Sequence, residues 1–211
     1  MGNLTFRPLT RKEWPALEAL FGKSGACAGC WCMYWRLGRG EWEGPQRERS
    51  ARNKVKFRRL VEKGPRPPGI LAFDGDTAVG WVAIEPREAY PKLERSRFLK
   101  AVDDESVWSV TCFYIKSGHR GRGVMRALVE GASDYAAEAG ARLIEAYPVD
   151  TEKRLSAGSA YTGVASTFRR AGFEEAARRV AHRPIVRKAL TAKTPRAKSS
   201  KAKSSKVRRS K

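Results

Sequence analysis

A glycine- and arginine-rich segment, Arg120-Gly-Arg-Gly123, is the chain's clearest candidate for chemistry. Residues 106–116 before it are rich in β-branched and aromatic side chains, which predicts a buried strand. Met125, Leu128 and Ala132 after it recur at steps of three or four, which predicts one face of a helix. A glycine-rich turn between a strand and a helix exposes the first N–H groups of the helix, and these bind anions. The segment therefore predicts a pyrophosphate-binding loop.

Two widespread phosphate-binding motifs do not fit this segment. A Walker loop requires Gly-x4-Gly-Lys-Ser/Thr, which the sequence lacks, and a dinucleotide fingerprint starting at Gly121 would need a glycine where Arg126 stands. The run Arg120-Gly-Arg-Gly-Val-Met125 resembles instead the Arg/Gln-x-x-Gly-x-Gly/Ala signature of the GNAT superfamily of acyl-CoA-dependent N-acyltransferases, with Met125 in place of the small last residue. Phe168-Arg-Arg-Ala-Gly-Phe173 is similar to the Tyr-x-x-x-Gly-Phe segment of the same family.

The order of the predicted elements, β-α-α-β-β-β-α-β-α-β-β, also resembles the GNAT fold over residues 4–190. The resemblance implies an α/β (α+β) domain with a mixed, mostly antiparallel sheet, a splayed parallel strand pair and helices on both faces. The splayed pair would be the strand that ends near Ile115 and the strand 142–147. We therefore expect a GNAT-like acyltransferase domain over residues 1–187, followed by a tail over residues 188–211.

The resemblance implies acetyl-CoA as cosubstrate, with its pyrophosphate on the loop and its acyl-pantetheine arm between the splayed strands. It implies an N-acetyltransferase that acts on a primary amine, in a small molecule or a peptide, by direct attack on the thioester. Backbone N–H groups near the end of the first splayed strand would polarise the thioester carbonyl. The predicted coenzyme-binding residues are Phe113, Tyr114, Ile115, Arg120, Gly121, Arg122, Gly123, Val124 and Met125.

The sequence contains no obvious residue to donate or accept the proton during acyl transfer. Many members of the family have a tyrosine at the position matched by Phe168, and phenylalanine cannot donate a proton. We consider Glu145 and Tyr147 on the second splayed strand and Tyr161 before the short helix as replacements, with Glu145 first as the base. The competing interpretation is that Glu145 is an exposed strand carboxylate and that both tyrosines only contribute to packing.

The segment Cys27-Ala-Gly-Cys30-Trp-Cys32-Met-Tyr-Trp35 has three interpretations. Its cysteines could bind zinc with Cys112 or His119 as a fourth ligand, but the crowded triplet lacks the paired spacing of zinc sites, and we predict no metal. The cysteines could instead be small apolar thiols in a core. Alternatively, the segment forms a wall of the acceptor pocket, to which we assign Trp31, Cys32 and Tyr34.

Charge is concentrated at the end of the chain. The net charge of the 211 residues is +21, and residues 188–211 contribute ten Lys or Arg and no Asp or Glu, which leaves +11 on residues 1–187. This Lys-, Ser- and Ala-rich composition predicts a disordered tail. Without a signal peptide or an apolar run of membrane-spanning length, we expect a cytoplasmic protein that could associate with the nucleoid. A second functional hypothesis is a nucleic-acid-associated protein that uses the GNAT fold as a scaffold and binds without sequence preference through the tail.

Overall fold

A computed structural model describes residues 4–153 and 155–191. The strands are β1 (Thr5–Pro8), β2 (Gly69–Asp74), β3 (Thr77–Pro86), β4 (Trp108–Ile115), β5 (Leu143–Ala146), β6 (Glu174–Arg178) and β7 (Pro184–Ala189). The helices are α1 (Trp14–Phe21), α2 (Gln46–Lys63), α3 (Pro91–Glu94), α4 (Val124–Glu138) and α5 (Ala165–Arg170), with 3₁₀ turns at Arg87–Ala89 and Ser117–His119.

The seven strands form a sheet in the order β1-β2-β3-β4-β5-β7-β6. Strands β4 and β5 pair in parallel, and every other neighbouring pair in this sheet is antiparallel. This confirms the predicted mixed, mostly antiparallel sheet with one parallel pair.

Alternating side chains of β2 and β3 divide the core into two layers. Ile70 and Val82 face the layer that α4 covers with Leu128, whereas Leu71 and Trp81 face the layer that α1 and α2 cover. Because successive side chains of a strand point to opposite faces of a sheet, these strands are apolar on both faces. Helices therefore lie on both faces of the sheet, as predicted.

Helix α4 is fixed to the sheet by one face. Leu128, Ala132 and Ala136 recur every four residues and have no exposed surface. The helix begins after Gly123 and ends just before Gly140, and both glycines have left-handed backbone angles, with φ of 76° and 86°. The buried face holds the start of α4 rigidly beside the end of β4.

Strands β4 and β5 pair over three residues only. Trp108–Val110 of β4 pairs with Ile144–Ala146 of β5, and Pro148, which has no N–H to donate, soon follows β5. Strand β4 continues to Ile115, so its second half has no β5 partner. The two strands thus diverge and leave an opening in the sheet.

A bulge in β4 marks the start of this divergence. The register with β3 shifts at Ala83 and Ile84, which pair with Cys112 and Val110, so Thr111 is the extra residue. An extra residue bends a strand and increases its local twist. The bulge therefore turns the second half of β4 away from β5.

The end of the described chain belongs to the sheet. Strand β7 includes Lys188 and Ala189, and the N–H of Leu190 donates to the carbonyl of Arg142 at 2.8 Å. The folded domain thus extends at least three residues beyond the predicted boundary at residue 187. Residues 192–211 lie outside the described residues, so the tail stays a prediction. Among the described helices, none combines the length and the apolar composition needed to cross a bilayer.

Candidate active site

The predicted pyrophosphate loop connects β4 to α4. Gly121 and Gly123 have φ of 70° and 76°, angles that favour glycine. A Cβ on Gly121 would meet no atom within 4 Å, so the loop surface there is open. Gly123 precedes the first turn of α4 and offers no capping side chain, which leaves the first N–H groups of the helix to an external acceptor. The loop therefore fits an anionic group such as pyrophosphate.

Two arginines hold the loop in shape. Arg120 Nε donates to the carbonyl of Ile115 at 2.9 Å, and Arg122 Nη1 donates to the carbonyl of Gly118 at 3.5 Å. These bonds tie the loop to the end of β4 and to itself. Arg120 lines the adjoining cleft, whereas Arg122 bonds within the loop.

The edge of β4 that diverges from β5 has backbone N–H groups that point toward the opening. The N–H of Phe113 donates to the carbonyl of Tyr161 at 2.6 Å, so it faces away from β3. Because N–H directions alternate along a strand, the N–H of Ile115 faces the same side. The carbonyl of Tyr161 occupies the first of these donors. Of residues 113–115 at the end of the first splayed strand, Ile115 is therefore the one whose N–H faces this side without being bonded to the Tyr161 carbonyl.

A cleft of about 950 Å³ extends from the loop into this opening. It contains eight of the nine predicted coenzyme-binding residues, all but Arg122. Its other side is formed by the Cys27–Tyr34 region and by residues 155–161. The lining residues that the sequence did not predict as site residues are Ala26, Cys27, Ala28, Cys30, Trp42, Cys112, His119, Arg126, Leu155, Ala157, Gly158, Ala160, Thr167 and Arg170.

The side of the cleft formed by the Cys27–Tyr34 region is aromatic and rich in thiols. Cys32 and Tyr34 line it, as predicted for the acceptor pocket. The Tyr34 ring lies 5.1 Å from that of Trp42, edge to face, and Lys92 Nζ lies 3.3 Å from the centre of the Tyr34 ring. One face of Tyr34 is thus already occupied by a cation.

Trp31 lies elsewhere, which corrects its assignment to the acceptor pocket. It is buried, stacks on Trp14 with ring centres 5.9 Å apart, and lies 5.6 Å from the ring of Phe21. Its Nε1 donates to Ser50 Oγ at 3.2 Å, in a separate cavity between α1 and α2. Trp31 and Cys32 belong to the same buried apolar cluster, but only Cys32 also lines the cleft.

Tyr161 is the one predicted proton-transfer residue that lines the cleft. Burial raises the pKa of Tyr161 to about 12, with Arg183 acting in the opposite direction, and Tyr34 and Cys112 lie near the phenol. A phenol with this pKa stays protonated at neutral pH and is a donor rather than a base. Its position follows from the bond between its carbonyl and Phe113, a contact that its sequence neighbours do not indicate.

Glu145 and Tyr147 lie in a buried ionic network, not in the cleft. Glu145 has no exposed surface; its Oε1 accepts from Arg87 at 2.8 Å and from Tyr147 at 2.5 Å, and its Oε2 accepts from Arg187 at 2.7 Å. Burial and then Glu145 raise the pKa of Tyr147 well above its usual range. Tyr147 Oη also lies 2.8 Å from Ser109 Oγ. Both side chains are therefore engaged in holding β4, β5 and β7 together, which argues against the proton-transfer roles predicted for them.

Phe168 is a core residue beside the cleft. It has no exposed surface, and its ring lies 6.0 Å from that of Phe113 and 5.0 Å from that of Phe173, edge to face in both cases. Gly163, with φ of 87°, approaches so closely that a Cβ there would lie 2.6 Å from the Phe168 ring. This packing fixes α5 against β4 and thereby positions the segment that carries Tyr161.

The four thiols all line the cleft. Cys32 Sγ lies 3.6 Å from Cys112 Sγ. Burial and then Cys32 raise the pKa of Cys30 to about 12. Within residues 4–153 and 155–191, no three His, Cys, Asp or Glu side chains are grouped so that they could hold a metal ion.

Comparison with known proteins agrees with this architecture. Residues 29–161, more than half of the chain, match the family model of the acetyltransferase (GNAT) family. No curated protein matches the chain.

Three solved structures illustrate the similarity in fold. Histone acetyltransferase HPA2 and related acetyltransferase from Corynebacterium glutamicum is 20% identical, with a TM-score of 0.55 over 92% of this chain and 99% of that one. PH1933 from Pyrococcus horikoshii is 17% identical, with a TM-score of 0.51 over 90% and 99%. PaiA N-acetyltransferase from Thermoplasma acidophilum, solved in complex with coenzyme A, is 14% identical, with a TM-score of 0.50 over 89% and 99%. Such identities show a shared fold, and the family match goes further: the chain belongs to the GNAT family of acetyltransferases and is an acyl-transferring enzyme with acetyl-CoA as its cosubstrate.

Proposed function

We propose that this enzyme transfers an acetyl group from acetyl-CoA to the primary amine of a small apolar or aromatic acceptor by direct attack on the thioester. The observation that supports this most is the continuous cleft. It is lined by the open N-terminus of α4, by the divergent half of β4 and by aromatic and thiol side chains. Donor and acceptor would therefore meet at β4.

The donor end is formed by this chain's backbone. The loop from Arg120 to Gly123 and the first turn of α4 would hold the pyrophosphate through N–H groups. Gly121 and Gly123 supply the left-handed backbone that turns these groups outward. When bound there, acetyl-CoA supplies the activated acyl group. The Ile115 N–H, which faces the opening, is placed to donate to the thioester carbonyl as negative charge develops on its oxygen.

Tyr161 is the residue we assign to proton donation. Tyr161 lines the cleft, Cys112 of β4 lies near its phenol, and the raised pKa of about 12 keeps the phenol protonated at neutral pH. A protonated phenol beside the divergent edge of β4 can protonate the leaving thiolate. Phe168, the position that the resemblance would assign to this role, is buried, so the proton donor has moved to another part of the chain.

The acceptor end favours apolar contact over recognition of a second positive charge. Tyr34 and Trp42 present aromatic surface, but Lys92 already lies over Tyr34. A second positive charge on the acceptor would be repelled by Lys92. An apolar substituent would instead displace water from aromatic surface.

The test compares two amines of equal length in the presence of acetyl-CoA, with acetylated product measured by mass spectrometry. Pentylamine has one amino group, and 1,5-diaminopentane has a second amino group at the other end of the same five-carbon chain. We expect a higher kcat/KM for pentylamine. A higher value for the diamine would contradict the acceptor class. Absence of product from a broad amine panel, together with absence of coenzyme A binding by calorimetry, would contradict acetyl transfer itself.

A further inference from the structure

Two thiols from distant parts of the chain meet in the wall of the cleft. Cys112 lies in β4 and Cys32 lies in the loop segment between α1 and α2, and their sulfur atoms are 3.6 Å apart. Both line the cleft, where Cys112 is half-buried and Cys32 is buried. A small molecule in the cleft can therefore reach the pair.

The backbone that carries Cys32 is unusual. In the described part of the chain, the non-glycine residues with positive φ are Ala26, Ala28, Trp31 and Cys32, with φ of 69°, 48°, 45° and 53°. Such angles are unfavourable for residues with a Cβ and persist where the surrounding structure enforces them. Here the stacked ring of Trp31 anchors the core side of the segment. The strained segment thereby directs the Cys32 side chain toward β4.

A hydrogen bond fixes the sulfur of Cys32. Trp81 Nε1, which is fully buried in β3, donates to Cys32 Sγ at 3.0 Å. Cys112 pairs with Ala83, two residues further along β3. The same strand therefore positions both sulfurs, one through a side chain and the other through the backbone.

We propose that Cys32 and Cys112 form a modification site that reacts with a small organic disulfide entering the cleft and closes to a Cys32–Cys112 disulfide. In the first step one protein sulfur attacks the small disulfide, forms a mixed disulfide and releases one small thiol. In the second step the other protein sulfur attacks the mixed disulfide and releases the second small thiol. Both protein sulfurs are oxidised, the small disulfide is reduced, and the two protons pass to the two released thiols.

The geometry requires a modest movement. The sulfurs must approach from 3.6 Å to about 2.05 Å, the length of a disulfide bond. Cys32 lies outside helices and strands, so a side-chain rotation and a small shift of its loop can supply the movement. The competing pair is Cys27-Ala-Gly-Cys30, whose spacing also permits a disulfide.

The experiment treats the reduced full-length protein with glutathione disulfide, labels the remaining thiols and maps the peptides without reduction. We expect two of the four thiols to be lost, one disulfide between the peptides that contain Cys32 and Cys112, and recovery of all four thiols after dithiothreitol. Cys27→Ser should retain this disulfide, and Cys112→Ser should lose it. The readout is independent of acyl transfer and therefore of the proposed function.

Three outcomes would overturn the proposal. The first is a disulfide between Cys27 and Cys30, the second is a glutathione adduct that does not proceed to an internal disulfide, and the third is retention of all four thiols. Each can be detected in the wild-type protein, so the test does not depend on a variant that folds.

Discussion

The Glu145 carboxylate and the Arg87 guanidinium form a buried ion pair, with Oε1 2.8 Å from Nη1. Arg87 follows β3 and Glu145 lies in β5, so the pair crosses β4, which separates these two strands in the sheet. Arg187 of β7 binds the same carboxylate from the other side, with its Nε 2.7 Å from Glu145 Oε2. The network thus joins strands on both sides of the opening and defines where β4 and β5 can separate.

Replacing Glu145 with glutamine should destabilise the fold. An amide cannot neutralise two guanidinium groups, and removing one partner of a buried ion pair costs about 3–5 kcal/mol. We expect the free energy of unfolding in urea to fall by that amount. Glu174→Gln, at an exposed position of β6, is the matched control and should change it little. A large loss of turnover at unchanged stability would instead restore Glu145 as a catalytic base.

Replacing Gly123 with aspartate should abolish coenzyme A binding. The substitution places a carboxylate and a strained left-handed residue at the N-terminus of α4, where the pyrophosphate is expected. Gly140→Asp introduces the same side chain at a left-handed position at the opposite end of the same helix, where a Cβ meets no atom within 4 Å. Calorimetry should detect binding to Gly140→Asp and not to Gly123→Asp. Equal affinities would show that the loop is not the pyrophosphate site.

Replacing Tyr161 with phenylalanine should lower kcat by about a hundredfold, the range typical of a lost general acid. The backbone bond from Phe113 to the Tyr161 carbonyl does not involve the phenol, so the loop should keep its position. Tyr135→Phe is the control. Burial raises the pKa of Tyr135 to about 12 as well, but its hydroxyl donates to the carbonyl of Pro67 at 2.9 Å, away from the cleft. Equal turnover in both variants would exclude Tyr161.

The pH dependence of turnover gives a separate test of Tyr161. With a pKa raised to about 12, its phenol should remain protonated as the pH rises from about 7 to about 9. Loss of this proton should therefore not reduce kcat in that interval. A fall in kcat that is present in the wild type and absent from Tyr161→Phe would show that the phenol ionises within this interval.

The sequence predicted the fold well because its signals are local. The strand before Ile115, the glycines of the loop and the face of α4 through Leu128 each follow from spacing within a few residues. The second motif, ending at Phe173, marked the turn between α5 and β6. Each of these patterns is enough to define an element, and their order defines the sheet.

The cleft was harder to predict because its walls come from distant segments. The bond from the Phe113 N–H to the Tyr161 carbonyl places Tyr161 beside β4. The preceding residues, 155–160, therefore also lie along the cleft. The same limitation explains Trp31, because an irregular loop has no regular period that would show which of the adjacent residues Trp31 and Cys32 lines the cleft. The position of Glu145 in the sequence of β5 is typical of an exposed strand carboxylate. Its burial depends on ion pairs with Arg87 and Arg187, which are far away in sequence.

The last prediction concerns the basic end of the chain. Residues 192–211 contain nine Lys or Arg and no Asp or Glu, and they contain no aromatic residue, Asn or Gln that could contact bases. We expect this segment to bind DNA or RNA weakly and without sequence preference, because neutralising phosphates releases counterions. A variant that ends at Thr191 keeps all of β7 and the bond from Leu190 to Arg142, which a cut at residue 187 would remove.

Nucleic-acid binding by the full-length protein and by the 1–191 variant should be measured over a salt series. The logarithm of the binding constant should fall more steeply with the logarithm of salt concentration for the full-length chain, by up to about 0.9 for each phosphate that the tail neutralises on duplex DNA. Acetylation of a small amine should be the same for both proteins, because the cleft lies within residues 26–170. Equal affinity and equal salt dependence would show that the +12 net charge of residues 1–191 is responsible for binding and that the tail contributes nothing.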